Sequence, residues 1–237
     1  MMARKIVVTG ASKGIGRVAA DALAAHGWEV IGVARSAPDS FPGEFIAADL
    51  GDEVATAALA TELTARGDVL GIVNNAGAAR TEHFGAIEPA DFMGLLAFNL
   101  RPALQLTQAL LPGMQAARFG RIVNITSLVT LGLPLRTSYA ASKAALESLT
   151  RTIAIEQAPH GITANAVAPG PTETELFRQN NPVGSAGEAR YLSQVPMNRI
   201  GTPAEIAAAI AFFASDAAAF VTGQTLFVDG GASLGRN

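Results

Sequence analysis

Tyr139 and Lys143 stand four residues apart in the stretch Ser138-Tyr-Ala-Ala-Ser-Lys143. On a helix that spacing puts both side chains on one face, one turn from each other. A phenol ordinarily loses its proton near pH ~10. An ammonium beside it favours the phenolate and lowers that value. Such a tyrosine can act as acid or base nearer neutrality. Standing alone, the pair is more often an ordinary exposed helix pair. The elements around it carry the argument.

Lys5–Thr9 is a β-branched apolar run, the mark of a buried parallel strand. The turn TGASKGIG follows, with Gly10, Gly14 and Gly16, and then a helix with Ile15, Val18, Ala19, Ala22 and Leu23 on one stripe. Glycines between a strand and a helix let the backbone approach a pyrophosphate, while free N–H groups at the helix start face the anion. The spacing is G-x-x-x-G-x-G, not the commoner G-x-G-x-x-G. Glu29–Ala34 is the second strand. Its end reads Ala34-Arg35-Ser36, with no carboxylate to accept from a ribose 2′-OH. Arg35 and Lys13 are cations suited to a 2′-phosphate; they read otherwise as two solvated surface charges.

Phe45–Ala48 is a third strand, ending at Asp49. Pro38 and Pro42 make a full crossover helix before it doubtful. A helix over Glu53–Arg66 precedes the fourth strand, Val69–Asn74, which closes in Asn74-Asn75-Ala76-Gly77. Glu88–Met114 reads as a long helix, with a kink expected near Asn99 from Pro102. Asn99 lies between Phe98 and Leu100, so its amide is expected to be buried and to need partners. Arg121–Ile125, then Thr126-Ser127, precedes the Tyr139 helix. Thr163–Ala168 is the sixth strand, leading into Pro169-Gly170. Residues 171–200 read as a loop or lid, Pro203–Ala214 as a buried helix and Leu226–Val228 as the last strand. Strands alternating with helices throughout predict an α/β fold, a mostly parallel sheet covered on both faces, in one domain over 1–237.

Composition narrows the functions. The 237 residues are 49% hydrophobic and 16% charged, with a formal net charge of −3 and no basic cluster, which speaks against nucleic acid. No stretch reaches the ~20 apolar residues of a membrane span, and the N-terminus runs straight into a strand without a signal peptide. Cysteine is absent and the three histidines are widely spaced, so no metal site is expected. A reducing, cytoplasmic setting fits.

Together these residues resemble the short-chain dehydrogenase/reductase family in its single-domain form. TGASKGIG, NNAG, Ser127 with Tyr139-x-x-x-Lys143, Pro169-Gly170 and the closing Val228–Gly231 stand in family order. The resemblance implies a three-layer, doubly wound Rossmann fold with seven strands. It also implies an oxidoreductase moving hydride between NADP(H), favoured over NAD(H), and a carbonyl or secondary alcohol, with a 3-oxoacyl thioester the commonest theme. In it Tyr139 is the acid/base. Lys143 lowers the phenol's pKa and holds the nicotinamide ribose, Ser127 holds the substrate oxygen, and Asn99 stabilises the kinked helix and positions a relay water. Gly10, Ser12, Lys13, Gly14, Ile15 and Gly16 surround the pyrophosphate side. Asp49 and Leu50 border the adenine, and Asn75, Ala76 and Gly77 the adenosine ribose. Pro169, Gly170 and either Thr172 or Thr174 meet the nicotinamide.

The chain departs from the family pattern in a short stretch between the second and third strands. Its spacing from Ser127 to Tyr139 is also one residue tighter than in many members, with Thr126 as a fallback donor. Specificity is expected in 171–200, in Leu128–Arg136 and in the turn after Gly77. Phe177, Tyr191, Leu192, Val195 and Met197 are candidates for an apolar pocket or for the self-packing of a lid, and Arg178 or Arg190 for contact with an acidic substrate, though surface solvation accounts for both cations more simply. Family likeness implies a homodimer or homotetramer. The competing reading is a non-catalytic nucleotide-binding sensor on the same fold; the presence of Ser, Tyr, Lys and Asn together argues against it.

Overall fold

The computed structural model describes residues 4–234. Seven strands form one sheet: β1 (Arg4–Thr9), β2 (Trp28–Ala34), β3 (Gly43–Ala47), β4 (Val69–Asn74), β5 (Gly120–Ile125), β6 (Ile162–Pro169) and β7 (Thr225–Val228). Their order is β3-β2-β1-β4-β5-β6-β7, and every neighbouring pair is parallel. Strand side chains alternate between faces. Ile6 and Val8 thus enter one core layer and Val7 the other.

The first layer holds α1 (Gly14–Ala25) packed on α7 (Pro203–Ala214), through Ala19, Leu23, Ile206, Ile210 and Phe213. The second holds α2 (Glu53–Arg66), α3 (Pro89–Ala117) and α4 (Thr137–Gln157), through Leu59, Leu63, Leu106, Met114 and Ile153. Helix ends follow local chemistry. Asp52 caps α2 by accepting from Val54 N and Ala55 N, and Gly67 ends it with left-handed φ. Thr202 and Glu205 form a capping box at α7, with Pro203 in the first turn. α3 runs on through both Pro102 and Pro112.

The β2–β3 connection carries no helix, as its prolines foretold. Phe41 takes the helix's place, folding over Gly32. A Cβ on Gly32 would fall 2.4 Å from that ring. Phe45 meets Phe41 edge-on at 5.2 Å, and the Arg17 guanidinium lies 5.6 Å over it.

The sheet's strand order reverses between β1 and β4. The chain leaves β1 toward β2 and β3, then returns to the other side of β1. That reversal opens a crevice at the carboxyl ends of these two strands, and the chemistry-bearing residues gather along it.

Candidate active site

The crevice is a cavity of about 720 Å³, within the usual range for small-molecule sites. Its floor is locked by bonds between the end of β1 and the Asn75-Ala76 segment just after β4. Thr9 Oγ1 accepts from Asn75 N at 2.9 Å and Ala76 N at 3.0 Å. Asn75 Nδ2 donates to Thr9 O at 2.9 Å and Gly10 O at 3.3 Å. Gly10 has φ +65°, and a Cβ there would fall 2.8 Å from Asn75 Nδ2. A Cβ on Gly16 would fall 2.4 Å from Gly10 O. Gly10, Ser12, Lys13, Gly14 and Ile15 line the cavity; Gly16 stands behind them and permits their packing.

At the end of β2, Lys13 and Arg35 are exposed, line the cavity and take part in no ion pair among the described residues. Asp49 and Leu50 line the same end. Asp49 Oδ1 accepts from Gly51 N at 2.9 Å, which shapes the turn after β3.

The other end holds the expected reactive set. Ser127, Tyr139 and Lys143 all line the cavity. Ser127 Oγ accepts from Val129 N at 3.3 Å, capping a 3₁₀ turn over Leu128–Leu131, which leaves its own proton to be donated toward Tyr139 or a substrate oxygen. Thr126 spends its proton on Val167 O at 3.2 Å, which removes it as the alternative donor. The tight span from Ser127 to Tyr139 is accommodated by that 3₁₀ turn and by left-handed backbone at Gly132 and Leu135.

The electrostatics differ from the expectation that the amine acidifies the phenol. Burial pushes the Tyr139 pKa up; a hydrogen bond from Ser127 and the charge of Arg136 oppose that rise. Lys143 is itself pushed down to about 8 by burial, its side chain 3% exposed. Its Nζ donates to Ile125 O at 2.7 Å and lies 5.8 Å from the Tyr139 ring centre. Desolvation is the largest cause of both shifts, and neither group is among the causes that move the other. In the free chain Tyr139 is therefore a neutral phenol at ordinary pH.

Asn99 does not line the cavity. Its Oδ1 accepts from Ala78 N at 2.9 Å, and its Nδ2 donates to Ala78 O at 3.0 Å and Ser142 Oγ at 2.8 Å. Ser142 Oγ in turn donates to Tyr139 O at 2.8 Å. Asn99 thus ties the loop after β4 to the tyrosine helix, rather than repairing α3's own backbone. Gly77 completes the join: a Cβ there would fall 3.2 Å from Lys143 Nζ and 3.3 Å from Asn99 Oδ1.

Beyond β6, Pro169, Gly170, Thr172 and Thr174 line the cavity. Thr172 Oγ1 donates to Gly170 O at 3.0 Å. Thr174 Oγ1 accepts from Phe177 N at 3.1 Å and keeps its proton. The glycine cradle, the free cations and this unspent donor fit a phosphorylated dinucleotide with its carboxamide at β6.

Comparison with known proteins agrees. A family model described as enoyl-(acyl carrier protein) reductase matches residues 10–233. The 3-oxoacyl-[acyl-carrier-protein] reductase of Vibrio harveyi is 40% identical, covering 95% of each chain, and that of Escherichia coli K12 is 38% identical over the same shares. A crystal structure of a putative NAD(P)-dependent gluconate 5-dehydrogenase from Beutenbergia cavernae, with bound NADP, is 35% identical. It superposes with a TM-score of 0.90, covering 97% of this chain and 96% of that one.

The chain belongs to the short-chain dehydrogenase/reductase family. It is an oxidoreductase with that family's doubly wound Rossmann fold.

This short-chain dehydrogenase/reductase builds 171–200 from two short helices, α5 (Glu175–Asn180) and α6 (Ala186–Leu192), rather than plain loop. Arg178 latches them, pairing with Glu173 and Glu188. It is thereby withdrawn from any substrate. Phe177 and Tyr191 line the cavity, ring centres 5.3 Å apart. Val195 instead packs with Leu128 and Ala232, and Met197 is exposed; neither they nor Leu192 line it.

Glu82 was not singled out by sequence, and Arg136 only as the end of the Leu128–Arg136 segment. Buried Glu82 accepts from Ser138 N at 3.0 Å and Ser138 Oγ at 2.7 Å, pinning the residue before Tyr139. Arg136, at the start of α4, lines the cavity beside Tyr139. No local motif marks either; an acid followed far downstream by a helix start is the only trace.

Proposed function

We propose that this enzyme moves hydride between NADP(H) and a carbonyl or secondary alcohol, with Tyr139 as the proton donor. One observation carries the reading: Ser127, Tyr139 and Lys143 meet in the cavity whose other end is the glycine turn and the Arg35 corner. NADP(H), when bound, supplies or takes up the hydride. Gly10, Ser12, Lys13, Gly14, Ile15, Asn75, Ala76 and Gly77 hold it along β1 and β4, with Gly16 and Asn99 supporting that frame. Lys13 and Arg35 take the 2′-phosphate, Asp49 and Leu50 border the adenine, and Lys143 holds the nicotinamide ribose. Pro169, Gly170 and Thr172 shape the nicotinamide end, where Thr174 has the free proton for the carboxamide.

During reduction Ser127 donates to the carbonyl oxygen, and Tyr139 gives it a proton as charge builds there. Burial keeps Tyr139 protonated, which suits reduction at neutral pH. Oxidation needs the phenolate, whose fraction rises tenfold for each pH unit below the pKa. The oxidative rate therefore climbs with pH while the reductive rate does not.

The curated relatives' names make a 3-oxoacyl thioester the first substrate class to try. The whole chain acts as one domain, with 171–200 as the substrate lid, in the cytoplasm. A homodimer or homotetramer is supported by exposed apolar side chains on the long helices, Leu104 and Ile155, and near the last strand, Phe212 and Leu226. No helix of the described residues is long and apolar enough to cross a membrane.

A screen of ketones, aldehydes and 3-oxoacyl thioesters with NADPH and NADH in parallel tests this function. Loss of NADPH absorbance with some members, and far less with NADH, is expected. Tight NADPH binding with no oxidation across the panel would instead leave a nucleotide-binding sensor.

A further inference from the structure

Arg136 is a cation in the reacting half of the cavity with no protein anion against it. It precedes the first turn of α4, three residues before Tyr139, which is about 5 Å along a helix axis. It is half-buried and lines the cavity together with Tyr139 and Ser127. Only its Nη1 is engaged, donating to Arg80 O at 3.3 Å and Thr81 Oγ1 at 3.1 Å. Among the described residues, Nε and Nη2 have no acceptor, and the guanidinium joins no ion pair. Those two nitrogens share one edge of the guanidinium plane. Their N–H groups match the two oxygens of a carboxylate, side-on.

Among the described residues no acid that lines or borders the cavity pairs with Arg136. Glu82 is spent on Ser138. Asp49 is at the adenosine end, and Glu175 stands beside Gly14. Leu128, Val129, Leu133 and Phe177 make much of the reacting half apolar. Stripping water from a cation in such a wall is costly, and an anion offsets that cost when it also takes up both unspent N–H groups of the guanidinium edge. Its charge also acts on Tyr139, pulling that pKa down against burial, so the guanidinium lies within electrostatic reach of the proton donor.

From this geometry we infer that Arg136 selects carbonyl substrates that carry a carboxylate within a few bonds of the reacting carbon. Oxo acids and their hydroxy-acid products are favoured over neutral ketones. The inference rests on the hydride-transfer reading and narrows its substrate. A thioester places a neutral group where the carboxylate would sit, and so gains less from Arg136 than the free acid does.

The test uses three oxo acids (3-oxobutanoate, 4-oxopentanoate and 5-oxohexanoate), each beside its methyl ester, with NADPH. Wild type, Arg136→Leu and Arg136→Lys are compared. The readout is the acid-to-ester ratio of kcat/KM for each skeleton. For at least one skeleton, wild type should favour the acid by about tenfold or more. Arg136→Leu should collapse that ratio by about tenfold, and Arg136→Lys should fall between, keeping charge without the fork. A loosened 80–81 loop would depress acid and ester together and leave the ratio standing. A ratio that moves by less than about threefold in Arg136→Leu would overturn the inference, and so would a wild type that accepts esters but not acids; hydride transfer would survive both results. No NADPH oxidation with any acid or ester, or with the broader ketone and thioester panel, would bring down hydride transfer itself.

Discussion

The adenosine half of the cavity is built from backbone, and the reacting half from buried side chains. Around β1, Gly10 and Gly16 are required because any Cβ would strike Asn75 or Gly10 itself, while the charged groups Lys13 and Arg35 stay in solvent. Around β5 and α4, Lys143, Asn99, Ser142 and Glu82 are buried and Ser127 and Tyr139 half-buried. Lys143 is pushed down and Tyr139 up, and the scaffold binding them spans Asn99, Ser142 and Glu82. On the proposed reading, one half recognises a ligand by shape and solvated charge at little cost in stability. The other holds its groups against their own desolvation, and that cost is part of how it works.

Substitutions should fall differently on the two sides. In the reacting half, Ser127→Ala should cut reductive kcat by roughly 10²–10³-fold, the usual loss for an oxyanion donor. NADPH affinity, measured by fluorescence, should change little. Lys143 gives a stability signature. With its pKa lowered from 10.5 to about 8, the free chain binds fewer protons than the unfolded chain between those values. Stability should therefore rise with pH from about 8 to 10.5 and be lower below that window, by roughly 3 kcal/mol. Chemical denaturation across that range checks it, and Lys143→Met should erase this part of the slope.

In the adenosine half, Arg35→Ser should weaken NADPH by about ten- to a hundredfold and leave NADH nearly unchanged, since only charge-assisted bonds to one phosphate are lost. Comparable turnover with both cofactors in wild type would contradict the assignment. The smallest effect expected is at the join: Glu82→Gln should lower stability by roughly 1 kcal/mol. It keeps the side chain's size but exchanges one acceptor of the Ser138 pair for a donor. Thermal melts at fixed pH measure it.

Much of this architecture was legible before any coordinates, because it is written in local patterns. The alternation of Ile6, Val7 and Val8 sorts one strand between two layers. Pro38 and Pro42 forbid the missing helix, and the Gly10–Gly16 turn sits between strand and helix. What escaped depends on meetings between distant segments. Glu82 and Ser138 are 56 residues apart, and neither neighbourhood advertises the other. The two helices of 171–200 are short, and the pairing of Arg178 with Glu173 and Glu188, 5 and 10 residues away, follows no helical or strand period that the sequence could show. The direction of the Tyr139 shift differs from the expectation for a related reason. Spacing along a helix reveals proximity, but the sign of a pKa shift depends on how much water both groups lose.

Hydride transfer in Tyr139→Phe, followed by stopped flow at saturating NADPH, addresses the proton donor itself. With a substrate that wild type reduces, the phenyl ring should keep the cavity filled and NADPH bound, while the transfer rate falls by roughly 10²–10⁴-fold. A variant that kept most of the wild-type rate would mean that the proton comes from elsewhere, and the chemistry assigned to this half of the cavity would be wrong.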